Sequence, residues 1–381
     1  MMMIVLAALL FALVAPSHAV AAKKPCRTLC GGPIAECVAA EIAVQCADTT
    51  GRAGQACAKI AKGACKRFTI LRCKANPDGS SCLSTVTTTT TSPSVTTTTI
   101  FQGQPISLNS GDLLVTARGK IVRVDPTSGA QTVIASNDQH PNLVFGSGIS
   151  IADDVFVIAR QFSQGDVTDV VVRIDPPTGT QTIVSTGRFL AQQDDTLGLV
   201  AVDDDHLLVA NQFGRLFHID TATGEQHVLL SVGLVYPRGI SFNAGGDVFV
   251  TNAPFTPFAG IAKVHVPNAD FASGIGNQTL LSASLATPYA VVTLFDDIII
   301  SDNEARAILR MNATTGSITP ISMGGMLIDP RGIEIATDGS IIVVDGSAPG
   351  KIVRVDATNG AQTIVATGGD IDGGVGVALF F

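Results

Sequence analysis

Between residue 105 and the C-terminus, short runs of β-branched and aliphatic residues alternate with clusters of Gly, Asp, Asn and Thr. Asp329–Gly369 shows the unit most cleanly, as four runs: Gly332–Ile335, Ser340–Val344, Ile352–Asp356 and Gln362–Val365. Turn formers separate them at Asp338-Gly339, Gly346–Gly350 and Asp356–Gly360, so each run reads as a strand. No 3.6-residue apolar period runs through the unit, which argues against helix. A four-stranded meander cannot bury both of its faces alone, whereas a ring of such sheets packs each one on its neighbours.

The unit recurs six times. A glycine closes its third turn at Gly129, Gly179, Gly224, Gly276, Gly316 and Gly360, at intervals of 50, 45, 52, 40 and 44 residues. The turns read DPTSG, DPPTG, DTATG, a diverged fourth copy, NATTG and DATNG. Asp or Asn opens such a turn by accepting nearby amide hydrogens, and Gly supplies the positive φ. Gln-Thr follows in four units, from Gln131, Gln181, Gln278 and Gln362. The first strands read GISI at Gly148, GLVA at Gly198, GISF at Gly239, AVVT at Ala290, GIEI at Gly332 and GVAL at Gly376. The repeat region opens on a second strand, from Gly111, and ends on a first strand, Gly376–Phe380. One sheet is thus shared between the two ends. The expected fold is all-β: a six-bladed β-propeller over 105–381, closed by its C-terminal strand, which leaves the ring without an open end.

The motifs PRGI at Pro237 and Pro330, then Asp-Gly or Gly-Gly-Asp, then VFVTN or IIVVD, then IVRVD, resemble six-bladed propellers of the NHL-repeat, lactonase-like and virginiamycin B lyase-like type. The resemblance covers the repeat region and bears on fold. It does not choose between enzyme and binding protein.

Ahead of the ring the composition changes three times. Residues 1–22 carry a short apolar run, Ile4–Ala15, then Pro16 and small residues, which reads as a secretory signal peptide, although the first three residues are Met without Lys or Arg. The run is too short to span a bilayer, so a secreted, periplasmic or cell-surface chain without a transmembrane segment is expected. Residues 23–83 hold all eight cysteines, Cys26, Cys30, Cys37, Cys46, Cys57, Cys65, Cys73 and Cys82. In an exported chain these read as four disulfides on a small helical module, with the pairing open. No Cys-x2-Cys pair and no His accompany them, which argues against zinc. Residues 84–104 form a linker: ten of the seventeen residues from Ser84 to Ile100 are Thr, a composition open to O-glycosylation.

The net charge of −8 divides into +6 for Lys23–Cys82 and −14 from Leu83 onward. The acidic propeller would repel phosphates, so nucleic acid is excluded as a partner. A monomer is expected.

In such a ring, the loop into the first strand and the loop after the second strand open on one face. The entries are Gly146-Ser147, Thr196-Leu197, Pro237-Arg238, Pro288-Tyr289, Pro330-Arg331 and Gly374-Val375. The second strands end at Thr116-Ala117, Ala159-Arg160, Ala210-Asn211, Thr251-Asn252, Ser301-Asp302 and Val344-Asp345. Arg160, Arg238, Arg331, Asn211, Asn252, Asp302 and Asp345 should therefore ring one mouth of the axis, with the only two tyrosines, Tyr236 and Tyr289. Phe213, Phe255 and Phe258 fall in the adjacent loops. The Asn and Asp residues also suit a plainer role, capping turns at strand ends. The arginines invite an anionic ligand or a carboxylate partner.

A second recurring slot, Arg123, Arg173, His218, Arg310 and Arg354 on the third strands, is present in nearly every blade and reads as frame, with His265 as the fourth copy's occupant. The lactonase-like resemblance implies a divalent metal held by Glu, Asn and Asp, several at first-strand entries. Here those entries hold no carboxylate. The lyase-like resemblance implies His and Glu near the axis, yet no entry holds His, and His140 only precedes the first. No nucleophile-elbow motif is present. The favoured expectation is an exported non-catalytic propeller that binds a small ligand or protein partner at the mouth, without a cofactor. The alternative is a divalent-metal-dependent hydrolase or lyase, with Ca2+ held by Asn211, Asn252, Asp302 and Asp345.

Overall fold

The computed structural model describes residues 98–101 and 105–380, apart from 140–142, 164–165, 188, 191–197, 212–213, 231–233, 235, 244, 253–259, 267–277, 283–284 and 295–296. The signal stretch, the cysteine module with its disulfides, and most of the Thr-rich stretch lie outside the described residues. Among the described residues no helix is long and apolar enough to cross a membrane.

Six antiparallel sheets are present. Blade 1 consists of β2 (Leu113–Ala117), β3 (Lys120–Val124), β4 (Gln131–Ser136) and β25 (Gly374–Leu379). Blade 2 is β5 (Leu143–Ile151), β6 (Val155–Ser163), β7 (Asp166–Asp175) and β8 (Thr180–Thr186). Blade 3 is β9 (Gly198–Ala201), β10 (His206–Asn211), β11 (Arg215–Asp220) and β12 (Gln226–Leu230). Blade 4 is β13 (Ile240–Phe242), β14 (Asp247–Asn252), β15 (Gly260–His265) and β16 (Gln278–Ser282). Blade 5 is β17 (Pro288–Leu294), β18 (Asp297–Asp302), β19 (Ala307–Asn312) and β20 (Ile318–Met323). Blade 6 is β21 (Pro330–Ile335), β22 (Ile341–Asp345), β23 (Lys351–Val355) and β24 (Gln362–Thr367). The fold is thus a six-bladed, all-β propeller.

The C-terminal strand closes it. β25 pairs with β2, Leu113 opposite Leu379, Leu114 opposite Ala378 and Val115 opposite Val377. The inner strands β25, β5, β9, β13, β17 and β21 each touch the next around the ring, and β21 returns to β25. One element stands outside the expected pattern: β1 (Thr98–Phe101), from the end of the Thr-rich stretch, pairs antiparallel with β8 and makes blade 2 five-stranded. Thr and Ile have strong strand propensity, and β8 offers an unpaired edge.

Successive residues on a strand point to opposite faces, and here both faces are buried. Leu113 and Val115 enter the core between blades 1 and 6, while Leu114 between them enters the core of blades 1 and 2. Phe156 packs toward blade 3 and Val157 toward blade 1. Six such cores lie between neighbouring blades. Runs such as IIVV in β22 are apolar throughout because neither face of the sheet meets water.

Two devices join the blades. At the axis, inner-strand glycines allow close approach: a Cβ on Gly239 would lie 2.6 Å from the Cα of Ala290, and one on Gly332 would lie 2.7 Å from the Val375 carbonyl oxygen. At the rim, the glutamine that opens a fourth strand reaches across to the preceding blade. Gln362 donates from Nε2 to Ser322 Oγ (2.9 Å) and the Gly324 carbonyl (3.0 Å), and accepts from the Met326 N–H. Gln226 and Gln131 do the same toward Ser185, Thr186, Gly187 and Phe189, and toward Gly368 and Asp370. An amide serves because it donates and accepts at once.

Gly239→Ala is expected to cost about 1–3 kcal/mol of unfolding free energy, because the crowding atoms are backbone and cannot turn away. Urea unfolding of the variant against the parent measures it.

Candidate functional site

The first-strand entries of blades 4, 5 and 6 come together. The Arg238 guanidinium carbon lies 5.2 Å from the centroid of the Tyr289 ring, and that of Arg331 lies 6.0 Å from the same ring. Blades 4, 5 and 6 thus supply one Arg–Tyr–Arg group, with Tyr289 approached from the blade on either side. Backbone tethers set its position. Thr251 Oγ1 accepts from the Gly239 N–H (2.7 Å) and donates to the Tyr289 carbonyl (3.3 Å). Ser301 Oγ accepts from the Ala290 N–H (2.9 Å) and donates to the Arg331 carbonyl (2.5 Å). Both hydroxyls are buried and each ties its own blade to the next. Thr116 occupies the same place in blade 1 and accepts from the Gly376 N–H. These hydroxyls sit one residue before the strand-end Asn, Asp or Ala, a repeat position to which sequence reasoning assigned no role.

The two arginines differ in electrostatics. Arg331 donates to Asp329 (2.7 Å) and to the Gly374 carbonyl (3.4 Å). Asp329 also takes the side-chain amide of Asn303. For Arg238, no carboxylate among the described residues lies within ion-pair distance, so its charge is left for something else. Tyr236, two residues earlier, is exposed and holds a left-handed φ of 45°, a conformation that costs a non-glycine residue about 1 kcal/mol.

The strand-end polar residues are placed differently from an open ring. Asp302 is 1 % exposed and accepts from the N–H groups of Ala286, Thr287 and Ala305. Asp345, fully buried, accepts from Ile328, Asp329 and Ser347 N–H and lies 3.8 Å from Lys351 Nζ. Asn211 donates to the Phe189 carbonyl and accepts from the Arg215 N–H, and Asn252 is equally buried. The oxygens of Asp302 and Asp345 are thereby used by the loops that lead into the first strands of their own blades. Much of the oxygen capacity that the expected Ca2+ set would need is thus taken up by backbone N–H groups. Among the described residues no group of three His, Cys, Asp or Glu is placed to hold a metal ion.

Two sequence expectations are corrected. The second strand of blade 2 does not end at Arg160 but runs on to Ser163, and Arg160 lies mid-strand opposite Asp169, with an ion-pair distance of 3.5 Å. The fourth occupant of the third-strand cation slot is Lys263, not His265: Lys263 lies opposite Phe249, as Arg354 lies opposite Ile342, whereas His265 lies opposite Asp247. Phe213, Phe255, Phe258 and His140 lie outside the described residues.

The cation slot itself is frame. Arg123 pairs with Asp112 (2.6 Å), Arg354 with Asp338 (2.8 Å), Lys263 with Asp247 (2.8 Å), and Arg173 with Asp154. His218 departs from it, stacked between His206 (5.1 Å between centroids) and His227 (6.0 Å). Burial, with these two rings beside it, pushes the His218 imidazole down to about 3. Burial opposes charge on His206 as well, but the hydrogen bond to Asp203 together with the negative charges of Asp203, Asp205 and Asp220 outweighs it and raises the imidazole.

No family model matches the chain, and no curated protein matches it. A chain of the crystal structure of a nidogen/laminin complex is similar, with a TM-score of 0.57 and 15 % identity over 71 % of this chain and 98 % of that one. A protein of unknown function from Bacteroides caccae overlaps with a TM-score of 0.49 and 12 % identity, again over 71 % of this chain and 98 % of that one. The likeness shows the fold alone.

Asp302→Ala strips three half-buried N–H groups of their acceptor and is expected to lower the unfolding free energy by about 3 kcal/mol, read from urea midpoints. His218 stays neutral in the fold while the unfolded chain protonates near pH 6.5, so its contribution is full above about pH 6.5 and falls as pH drops toward about 3. His218→Phe should flatten the acid limb of stability against pH by roughly 1.4 kcal/mol per pH unit between about pH 6 and 4, measured by urea unfolding across that range.

Proposed function

We propose that this chain is an exported, non-catalytic β-propeller of NHL-like type that binds a ligand or protein partner at its Arg–Tyr mouth. The carrying observation is the Arg238–Tyr289–Arg331 group, in which Arg238 has no carboxylate within ion-pair distance among the described residues. Aromatic and guanidinium groups gathered at an axial opening are what recognition sites use. The left-handed Tyr236 beside them adds an outlier of the kind found at ligand clamps. Export rests on the signal-like first 22 residues, and the cysteine module fits the same compartment. A similar propeller-shaped chain belongs to a nidogen/laminin complex, which is in keeping with use of this fold in binding.

The hydrolase or lyase alternative needs oxygen ligands at the mouth, where Asp302 and Asp345 already accept from backbone N–H groups and Asp329 is engaged by Arg331 and Asn303. A thermal-shift screen of small organic acids, sugars and peptides should yield at least one stabilising ligand whose midpoint concentration rises about tenfold or more in Tyr289→Ala. Calcium- or magnesium-dependent turnover of a lactone or ester by the purified protein, abolished by a chelator, would contradict the proposal.

A further inference from the structure

The geometry points to a singly charged carboxylate as the group this mouth takes, with Arg238 as its anchor. The inference rests on the mouth being a binding site. Three arginines are expected at the mouth from the sequence, and their surroundings separate them. Arg160 is held by Asp169, and Arg331 is held by Asp329 and the Gly374 carbonyl. Among the described residues, Arg238 has the Tyr289 ring beside it and no carboxylate within ion-pair distance. Cation–π attraction to a ring does not require the N–H fork of a guanidinium, and that fork matches the two oxygens of a carboxylate. Tyr289, locked at its carbonyl by Thr251, keeps the fork in place before a ligand arrives.

Charge sets the class more narrowly. From Leu83 onward the chain carries −14. Each negative charge on a ligand meets that background, screened beyond a Debye length of about 8 Å at physiological salt. One carboxylate is drawn in by the local cation at little cost. A polyanion gains the same single contact and is repelled through every other charge. Small monocarboxylic acids and the terminal carboxylate of a peptide share this chemistry.

The chain has no Trp and only two tyrosines, so Tyr236→Phe leaves Tyr289 as the sole tyrosine and a fluorescence reporter at the site. This variant would be titrated with butyrate, with citrate, and with a short polyalanine peptide bearing a free or an amidated C-terminus. The expected result is a saturable change with butyrate, with the free-ended peptide, or with both, which also tells the two sources apart. Citrate and the amidated peptide should bind at least about tenfold more weakly. Arg238→Gln should weaken carboxylate binding about tenfold or more with its unfolding midpoint unchanged, and Arg238→Lys should weaken it less. Carboxylate binding that ignores Arg238→Gln, or that is tightest for citrate, overturns the inference. If a neutral ligand moves Tyr289 while carboxylates do not, the carboxylate claim falls and the mouth survives as a binding site. If nothing in the panel or the wider screen reaches Tyr289, both fall.

Discussion

Leu113 in β2 lies opposite Leu379 in β25, with almost the whole domain between them in sequence. That pairing turns six sheets into one closed body. Each blade buries one face against the blade before it and the other against the blade after it, so no blade is complete without both neighbours. Without β25, β2 would show an unpaired edge and blade 1 would lack its innermost strand, which touches both β5 and β21. Loss of that strand would expose two of the six cores at once.

The same closure sets the geometry of the mouth. Inner strands must lie close enough for neighbouring entries to touch, and the glycines at Gly239 and Gly332 are what permit it. Thr251 and Ser301 then fix the carbonyls of Tyr289 and Arg331 from the preceding blade. Asp302 and Asp345 hold the loops that lead into β17 and β21. Polar residues at the strand ends thus split into two kinds. The buried ones build the frame, and the half-buried group at the strand entries, Arg238, Tyr289 and Arg331, is cationic and aromatic.

Much of this was legible along the chain because turn chemistry repeats with the blade. The Asp/Asn-to-Gly turns mark five blades, the first-strand runs mark all six, and Gly376–Phe380 marks the closure. Entry positions place Arg238, Tyr289 and Arg331 on neighbouring blades at the same point of the repeat. What was not legible depended on side-chain direction or on strand length. Nothing in the spacing shows that the Asp302 oxygens turn inward to meet Ala286 and Thr287, or that the glutamines opening β4, β12 and β24 clamp the preceding blade. Blade 2 misled because β6 and β7 run past the usual length, which carries Arg160 into a ladder position opposite Asp169. The fourth blade misled because its third turn has diverged, so Lys263 and His265 could be assigned only from the register of β14 on β15.

Deleting Gly374–Phe381 from the full chain tests the closure most directly, with urea unfolding followed by far-ultraviolet circular dichroism. The closed ring predicts that the deletion destabilises every blade, so that the single transition moves to much lower urea or vanishes. An unfolding midpoint equal to that of the parent would contradict it.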